Sequence, residues 1–302
     1  MKNAQNGGGP VDKIVHRPFL AIALRLLAIA VMSGMYVLIK LAGEREIHIV
    51  ESLFWRQLPT IPFVLIWLLL KGQWPRLRTK RLGAHARRAM YGMVGMSLNF
   101  AAVTLLPLAE ATALNFTTVF WAVILSAVIL KENVGYWRWG AVLIGFVGVL
   151  AIAKPGAGGI SLSGASVALA GAFMIALISI QIRNLSISEE PFLIVFYFSV
   201  FTAPVFALVL PFVATPHDVG DWCILFGLAL LGLFGQLVLT ASLRFAPVST
   251  VIIMDYSGLI WATLFGWIVF EQLPTPATWV GAPLIIGAAL LVAWREHQKT
   301  SA

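Results

Sequence analysis

An internal duplication constrains this chain more than any other feature of its sequence. Residues 106–150 reappear 140 positions later as residues 246–291, with a one-residue slip near the end. The matched positions pair Pro107 with Pro247, Asn115 with Asp255, Phe116 with Tyr256, Trp121 with Trp261, Ala122 with Ala262 and Trp139 with Trp279. The chain is therefore built from two related halves. If each half has an odd number of membrane spans, the second half enters the bilayer upside down relative to the first, as in many secondary transporters.

The composition indicates an integral membrane protein. Of 302 residues, 60% are hydrophobic and only 11% are charged, and the mean hydropathy is +0.90. That is too little polar surface to cover a soluble globule of this size. The net charge of +8 does not indicate nucleic-acid binding, because Lys and Arg stand in short loops between apolar runs. Cys223 is the single cysteine, which excludes an internal disulfide.

Apolar segments long enough to cross about 30 Å of hydrocarbon divide the chain. We predict ten, at residues 18–42, 49–70, 89–108, 109–130, 137–152, 164–182, 191–213, 222–243, 248–270 and 278–294. Pro107 separates the third from the fourth, because it lacks an amide proton and disfavours helix in the residue before it. The predicted fold is all-α, with two inverted five-helix repeats at 18–153 and 164–294, a Gly-rich linker at 154–163 and terminal tails at 1–17 and 295–302.

Loop charge predicts the orientation. With a cytoplasmic amino terminus, most Lys and Arg residues fall inside, above all those of residues 71–88, against Lys40, Arg45 and Lys154 outside. This asymmetry follows the positive-inside rule. Both termini are therefore predicted to be cytoplasmic.

Several short motifs carry a family resemblance. They are residues 105–111 (LLPLAEA) entering the fourth helix, Leu130-Lys131-Glu132 leaving it, Gly145-Phe146-Val147-Gly148-Val149 in the fifth, and the echoes Phe245-Ala246-Pro247-Val248 and Phe270-Glu271 in the second half. In combination they resemble the drug/metabolite transporter superfamily, and within it the ten-helix proteins with two EamA-type repeats, over nearly all of residues 19–294. The resemblance implies an inner-membrane carrier that works by alternating access. It looks somewhat closer to the branch that contains S-adenosylmethionine carriers.

Enzyme motifs do not stand out in the sequence. A metalloprotease needs histidines one helical turn apart with a nearby Glu, whereas the five histidines all fall in predicted tails or loops. A Gly-x-Ser-x-Gly elbow and a Gly-rich phosphate loop are both missing. We therefore expect no enzyme, no cofactor, no metal site and no ATP-driven pump, and an energy source in an ion gradient or in the substrate's own gradient.

Two charged residues are predicted to approach the middle of the membrane. Arg56 and Asp255 each lie about two helical turns inside a span, and a charge at mid-bilayer costs about 2.5 to 3.5 kcal/mol. One interpretation places both in a central cavity, where Arg56 attracts a carboxylate and Asp255 binds a cationic group or a coupling proton. The other makes them partners in a mutual or local ion pair that fixes helix packing. Lys40 and Arg183 match at the ends of the first and sixth helices, which favours snorkelling to the interface.

Other polar and aromatic residues complete a candidate pocket with Arg56 and Asp255. They are Asn115, Tyr256, Trp121, Trp261, Tyr36, Asn99, Gln181, Tyr197 and Gln236. They offer stacking surfaces and hydrogen bonds to a small amphipathic solute. For each aromatic ring, packing or interfacial anchoring is the structural alternative.

The sequence therefore predicts a secondary transporter of a small polar or amphipathic metabolite, with the bilayer and that small molecule as its partners. Amino acids or their derivatives are favoured, because one embedded cation and one embedded anion flanked by aromatic rings suit a zwitterion. An S-adenosylmethionine-type or drug carrier is the alternative within this class. A non-transporting membrane scaffold or receptor is the alternative from another class.

Overall fold

The structure is a computed structural model that describes residues 18–129, 131, 135–154, 160–185, 188–242, 245 and 252–300. The predicted tail at 1–17, half of the linker (155–159) and the start of the ninth span lie outside these residues. The described chain is helical, with these elements: α1 Pro18–Glu44, α2 Ile49–Gln57, α3 Thr60–Leu70, α4 Leu82–Leu105, α5 Leu108–Asn115, α6 Thr118–Val128, α7 Tyr136–Ala153, α8 Leu162–Leu185, α9 Pro191–Val213, α10 Val219–Ser242, α11 Gly258–Phe270 and α12 Pro276–Thr300. Short 3₁₀ helices occupy Trp74–Leu77 and Ile252–Ser257.

The predicted fold class is confirmed. Within the described ranges, eight helical segments are long and apolar enough to cross a membrane, and Met254–Phe270 is a shorter apolar segment at the ninth predicted position. The third position is occupied by α4, whose 24 residues extend over about 36 Å. It begins at Leu82 rather than at the predicted residue 89. The prediction used hydropathy alone, and hydropathy excludes a helical turn that carries Arg87 and Arg88.

The breaks inside the spans fall at prolines or at positions that are equivalent in the two halves. Pro59 separates α2 from α3, and extended Leu106 before Pro107 separates α4 from α5 as predicted. The fourth span is interrupted between Asn115 and Thr118, and the ninth changes from 3₁₀ to α-helix after Ser257. The interruptions fall at equivalent positions of the two halves.

The helices pack in a pattern that the two halves share. Helix α1 packs against α10, and α8 packs against α4, so the first helix of each half lies against the third span of the other. The last helices, α7 and α12, pack against each other with Gly148 and Gly281 in contact, where a Cβ on Gly281 would stand 2.5 Å from the Gly148 carbonyl oxygen. This exchange of partners places a pseudo-two-fold axis between the halves. We call the face at which α1 begins the terminal face and the other the opposite face.

Candidate functional site

A cavity of about 580 Å³ lies between the two halves. Its wall is formed by residues of α1, α5, α6, α8, α10, α12 and the 3₁₀ segment before α11. The residues that the argument uses are Arg25, Tyr36, Asn115, Ser179, Asp255 and Tyr256. We call this space the central cavity. Its size suits a small organic molecule.

An ion pair stands in the wall of the central cavity. Arg25 donates from Nε to one carboxylate oxygen of Asp255 and from Nη2 to the other, both at 2.6 Å. The Arg25 side chain is 11% exposed and that of Asp255 is 36% exposed. Asp255 therefore does not pair with Arg56, and its side chain is more exposed than that of Arg25, with which it shares the cavity wall.

The repeat-equivalent residues meet beside this pair. Asn115 and Asp255 both line the central cavity. The rings of Phe116 and Tyr256 pack edge to face, with centroids 5.0 Å apart and planes at 69°. The pseudo-two-fold axis thus passes through the pocket wall. Each half supplies one aromatic ring and one short polar side chain there.

A second space of about 180 Å³ shares the lining residues Tyr36 and Ile175 with the first. Its wall includes Arg56, Arg88, Asn99 and Phe198, and Tyr36 lines both spaces. We call it the arginine chamber. Asn99 donates from Nδ2 to Oδ1 of Asn115 at 3.3 Å, which links the two walls. The walls of the two spaces are therefore contiguous at Tyr36 and at the Asn99–Asn115 pair.

Of the eleven candidate residues from the sequence, six line these spaces. They are Arg56, Asp255, Asn115, Tyr256, Tyr36 and Asn99. Trp121 instead lies between Phe146 and Phe173, with both centroids 5.4 Å away, and Trp261 stacks on Phe265 at 5.9 Å.

The remaining three candidates lie outside the lining of both spaces within the described part of the chain. Gln181 accepts a hydrogen bond from Arg87 Nε at 3.4 Å. The Tyr197 hydroxyl donates to the Leu77 carbonyl oxygen at 2.8 Å. Gln236 is half-buried on α10.

Arg25 and Arg88 line these spaces although the sequence interpretation did not place them there. Cavity residues of α1 fall at positions 25, 29, 32, 33, 35 and 36, and those of α4 at 88, 92, 95, 96, 99 and 100. Both sets recur every three or four positions, which marks one face of a helix and could have identified both arginines. Arg88 falls just outside the predicted third span, which begins at residue 89. The prediction that the histidines fall in tails or loops is wrong for His85, which is fully buried in α4, whereas His217 does lie in a loop, with a side chain only 4% exposed.

Polar contacts close the opposite face. Lys40 is 6% exposed and donates from Nζ to the Leu106 carbonyl oxygen at 2.9 Å and to Gln272 Oε1 at 3.1 Å. It therefore does not snorkel, and the side chain of Arg183 lies outside the described part. Glu110, fully buried, accepts at Oε1 from the Thr275 amide at 2.9 Å and from Thr278 Oγ1 at 2.8 Å. These bonds join α1 and α5 of the first half to the α11–α12 connection of the second.

Comparison with known proteins agrees with this architecture. A solved crystal structure matches with a TM-score of 0.61 and 19% identity, covering 91% of this chain and 96% of that one, which shows the shared fold. The riboflavin transporter of Vibrio cholerae is 30% identical over 80% of this chain and 81% of its own length. The pseudopaline exporter CntI of Pseudomonas aeruginosa is 27% identical over 89% and 94%. The S-adenosylmethionine uptake transporter of Rickettsia bellii is 27% identical over 93% and 96%.

The family match covers both halves separately. The EamA-like transporter family model matches residues 19–154 and again residues 162–294. These are the two repeats that the duplication of residues 106–150 first indicated. The family and the names of the relatives point to a transporter of small molecules rather than to an enzyme. The chain is a multi-pass membrane protein that belongs to the EamA-like transporter family.

Proposed function

We propose that the chain moves a small amphipathic metabolite, favouring an amino acid or an amino-acid-derived compound, across the inner membrane by alternating access. The observation that carries the proposal is the central cavity of about 580 Å³ between two inverted halves, with the Arg25–Asp255 pair in its wall. Cavities at the interface of inverted repeats are where secondary transporters bind their substrates.

The chemistry of the wall supports the substrate class. The carboxylate of Asp255 is exposed enough for an ammonium group to reach it, and the amide of Asn115 and the phenol of Tyr256 offer hydrogen bonds nearby. The rest of the wall combines aliphatic side chains and the ring of Phe116 with the hydroxyl groups of Ser33, Thr112, Thr118 and Ser179. One relative is named for S-adenosylmethionine, itself an amino-acid derivative.

Alternating access is supported by the contrast between the two faces. The cavity wall draws on Arg25, Asp255 and Val292, which stand near the terminal face. The opposite face is closed by the bonds of Lys40 and Glu110. To open the cavity toward the opposite face, the protein must break these bonds while its terminal side closes. With both termini in the cytoplasm, as we propose, the described state faces inward.

A coupling proton has one proposed site. Asp255 is the only carboxylate among the described residues that line the central cavity. Its protonation would remove the charge that holds Arg25. Loss of that charge would weaken the contact between the two halves, and proton binding would thereby be coupled to their rearrangement.

Transport into proteoliposomes tests the proposal. The purified protein is reconstituted and offered radiolabelled amino acids, S-adenosylmethionine and riboflavin, with and without an imposed pH gradient. We expect saturable accumulation of an amino-acid-derived solute, abolished by Asp255→Asn. If riboflavin alone is moved, the substrate class is wrong. If a solute stabilises the protein against heat but none is moved, the protein acts as a receptor; if none is moved and none stabilises it, the substrate class is wrong and the scaffold alternative is favoured.

A further inference from the structure

Two arginine side chains line one small chamber, and neither has an acidic partner among the residues that the structure describes. Arg56 of α2 and Arg88 of α4 both line the arginine chamber of about 180 Å³. Three other described arginines do have acidic partners: Arg25 pairs with Asp255, Arg45 with Asp221 and Arg76 with Glu190. The chamber therefore holds two positive charges in a setting where burial disfavours charge.

The polar contacts of Arg56 leave part of its guanidinium unused. Its Nη1 donates to Oε1 of Gln57 at 3.0 Å and lies 3.4 Å from Sδ of Met96. Its Nε is buried and has no hydrogen-bond partner in the described part of the chain. Since both contacts are to neutral groups, the positive charge is not compensated.

The positive charge of Arg88 has even fewer polar contacts to compensate it. Its guanidinium carbon lies 3.9 Å from the ring centroid of Phe198, a cation–π contact. Both Nε and Nη1 are buried without a hydrogen-bond partner among the described residues. Gly92 makes room for this stack, because a Cβ there would stand 2.6 Å from Cε2 of Phe198 and 3.1 Å from Nη1 of Arg88.

We propose that the arginine chamber binds an oxyanion of the transported solute, a carboxylate or a phosphate, to which Arg56 and Arg88 donate together. A cation without a counter-charge is costly in such a setting, and an oxyanion in the chamber would offset it through charge-assisted hydrogen bonds to the guanidinium nitrogens that reach the space. Guanidinium groups match the planar geometry of carboxylate and phosphate. The inference rests on the proposed function and names the anionic part of its substrate.

The charges of the two spaces also specify the solute as a whole. Arg25 and Asp255 cancel each other in the central cavity, whereas Arg56 and Arg88 do not cancel. A solute with net negative charge is therefore favoured over a simple zwitterion. Its amphipathic body lies past Tyr36 in the central cavity, and its anionic end enters the chamber.

A matched set of probes tests the chamber directly. Binding of 3-phenylpropionate, phenyl phosphate and the neutral 3-phenylpropanamide is measured by calorimetric titration of the protein in phosphatidylcholine nanodiscs. We expect both anions to bind wild type at least about tenfold more tightly than the amide, the equivalent of one charge-assisted hydrogen bond. Equal affinity of wild type for the acid and for the amide would overturn the proposal. This comparison does not require any variant.

Three variants locate the effect. Arg56→Gln and Arg88→Gln should each remove the preference for the anions, and both should remain inserted because glutamine costs less than arginine in the bilayer. Arg87→Gln is the control, since Arg87 is adjacent in sequence but exposed. We expect it to keep the preference. An equal loss in all three variants would assign the effect to diffuse surface charge and overturn the proposal.

A change of lipid distinguishes a solute from a lipid headgroup as the occupant of the chamber. Replacing phosphatidylcholine by phosphatidylglycerol should leave anion binding to wild type intact. If it abolishes binding, a lipid headgroup is the occupant and the proposal is wrong. Anion binding at Arg56 and Arg88 without transport of any solute would refute the proposed function alone, whereas equal transport of acids and their amides would refute only the anion site.

Discussion

Arg25 and Asp255 stand 230 positions apart in the chain, yet both nitrogens of one edge of the guanidinium donate to the two carboxylate oxygens at 2.6 Å. The pair joins α1 of the first half to the 3₁₀ segment of the second half in the wall of the central cavity. A bidentate pair of this kind fixes orientation as well as distance. It therefore holds the halves together on the terminal side.

Asp255→Asn should destabilise the protein, because it leaves the nearly buried Arg25 without its counter-charge. Asp255 is 36% exposed, so the expected loss is roughly 1 to 3 kcal/mol, toward the lower end of values for buried pairs. Thermal unfolding of the purified variant in detergent measures it. The double variant Arg25→Gln/Asp255→Asn should recover most of the loss, and strictly additive effects would show that the two residues are not coupled.

Glu110→Ala should loosen the opposite face. It removes the acceptor of the Thr275 amide and of the Thr278 hydroxyl in a fully buried position, at a cost of about 1 to 3 kcal/mol. Unfolding temperature should fall, and cysteine reagents added from that face should reach the cavity more readily. Glu190→Ala is the control, because its partner Arg76 is exposed. If the Glu110 and Glu190 variants lose equal stability, the closure assigned to Glu110 is wrong.

Trp121→Phe should leave transport and stability nearly unchanged. The indole nitrogen is buried without a hydrogen-bond partner among the described residues, while the ring packs against Phe146 and Phe173. Trp121→Ala should instead cost about 3 kcal/mol through lost packing. Loss of transport in a stable Trp121→Phe protein would mean that the indole N–H contacts the solute after all.

Cysteine labelling in intact cells tests the orientation. Cys223 is exposed and is first replaced by serine. Arg78→Cys, in the basic loop, should resist a membrane-impermeant reagent, and Ser163→Cys, at the exposed start of α8, should react. The reverse pattern would place both termini outside.

Much of the fold was predictable because apolar length and proline placement are local properties of the chain. Pro107 ends α4 where expected, and the duplication predicted two equivalent halves. The side of a helix that faces the cavity is also encoded locally, because the cavity residues from Arg25 to Tyr36 and from Arg88 to Asn99 recur every three or four positions. Hydropathy averages remove that spacing, which is why they do not identify Arg88.

Other parts of the site depend on contacts between distant segments and could not be predicted. Trp121 and Trp261 occupy equivalent repeat positions but meet different neighbours: Trp121 packs on Phe173 of the distant α8, whereas Trp261 stacks on Phe265 one turn along its own helix. Sequence symmetry does not determine how each helix is rotated. The choice of Arg25 rather than Arg56 as partner of Asp255 likewise depends on how the halves dock.

The central claim is that the transported solute occupies the central cavity, and protection of a cavity cysteine tests it most directly. Ser179 lines the cavity from α8, and Ser166 is exposed on the same helix without lining it. Both are changed to cysteine in the Cys223→Ser background, and the rate of modification by a thiol reagent is followed with and without saturating solute. The account predicts that solute slows modification of the Ser179→Cys protein several-fold and leaves the Ser166→Cys protein unchanged. Equal rates with and without solute in the Ser179→Cys protein, for a solute that the same protein transports, would contradict it.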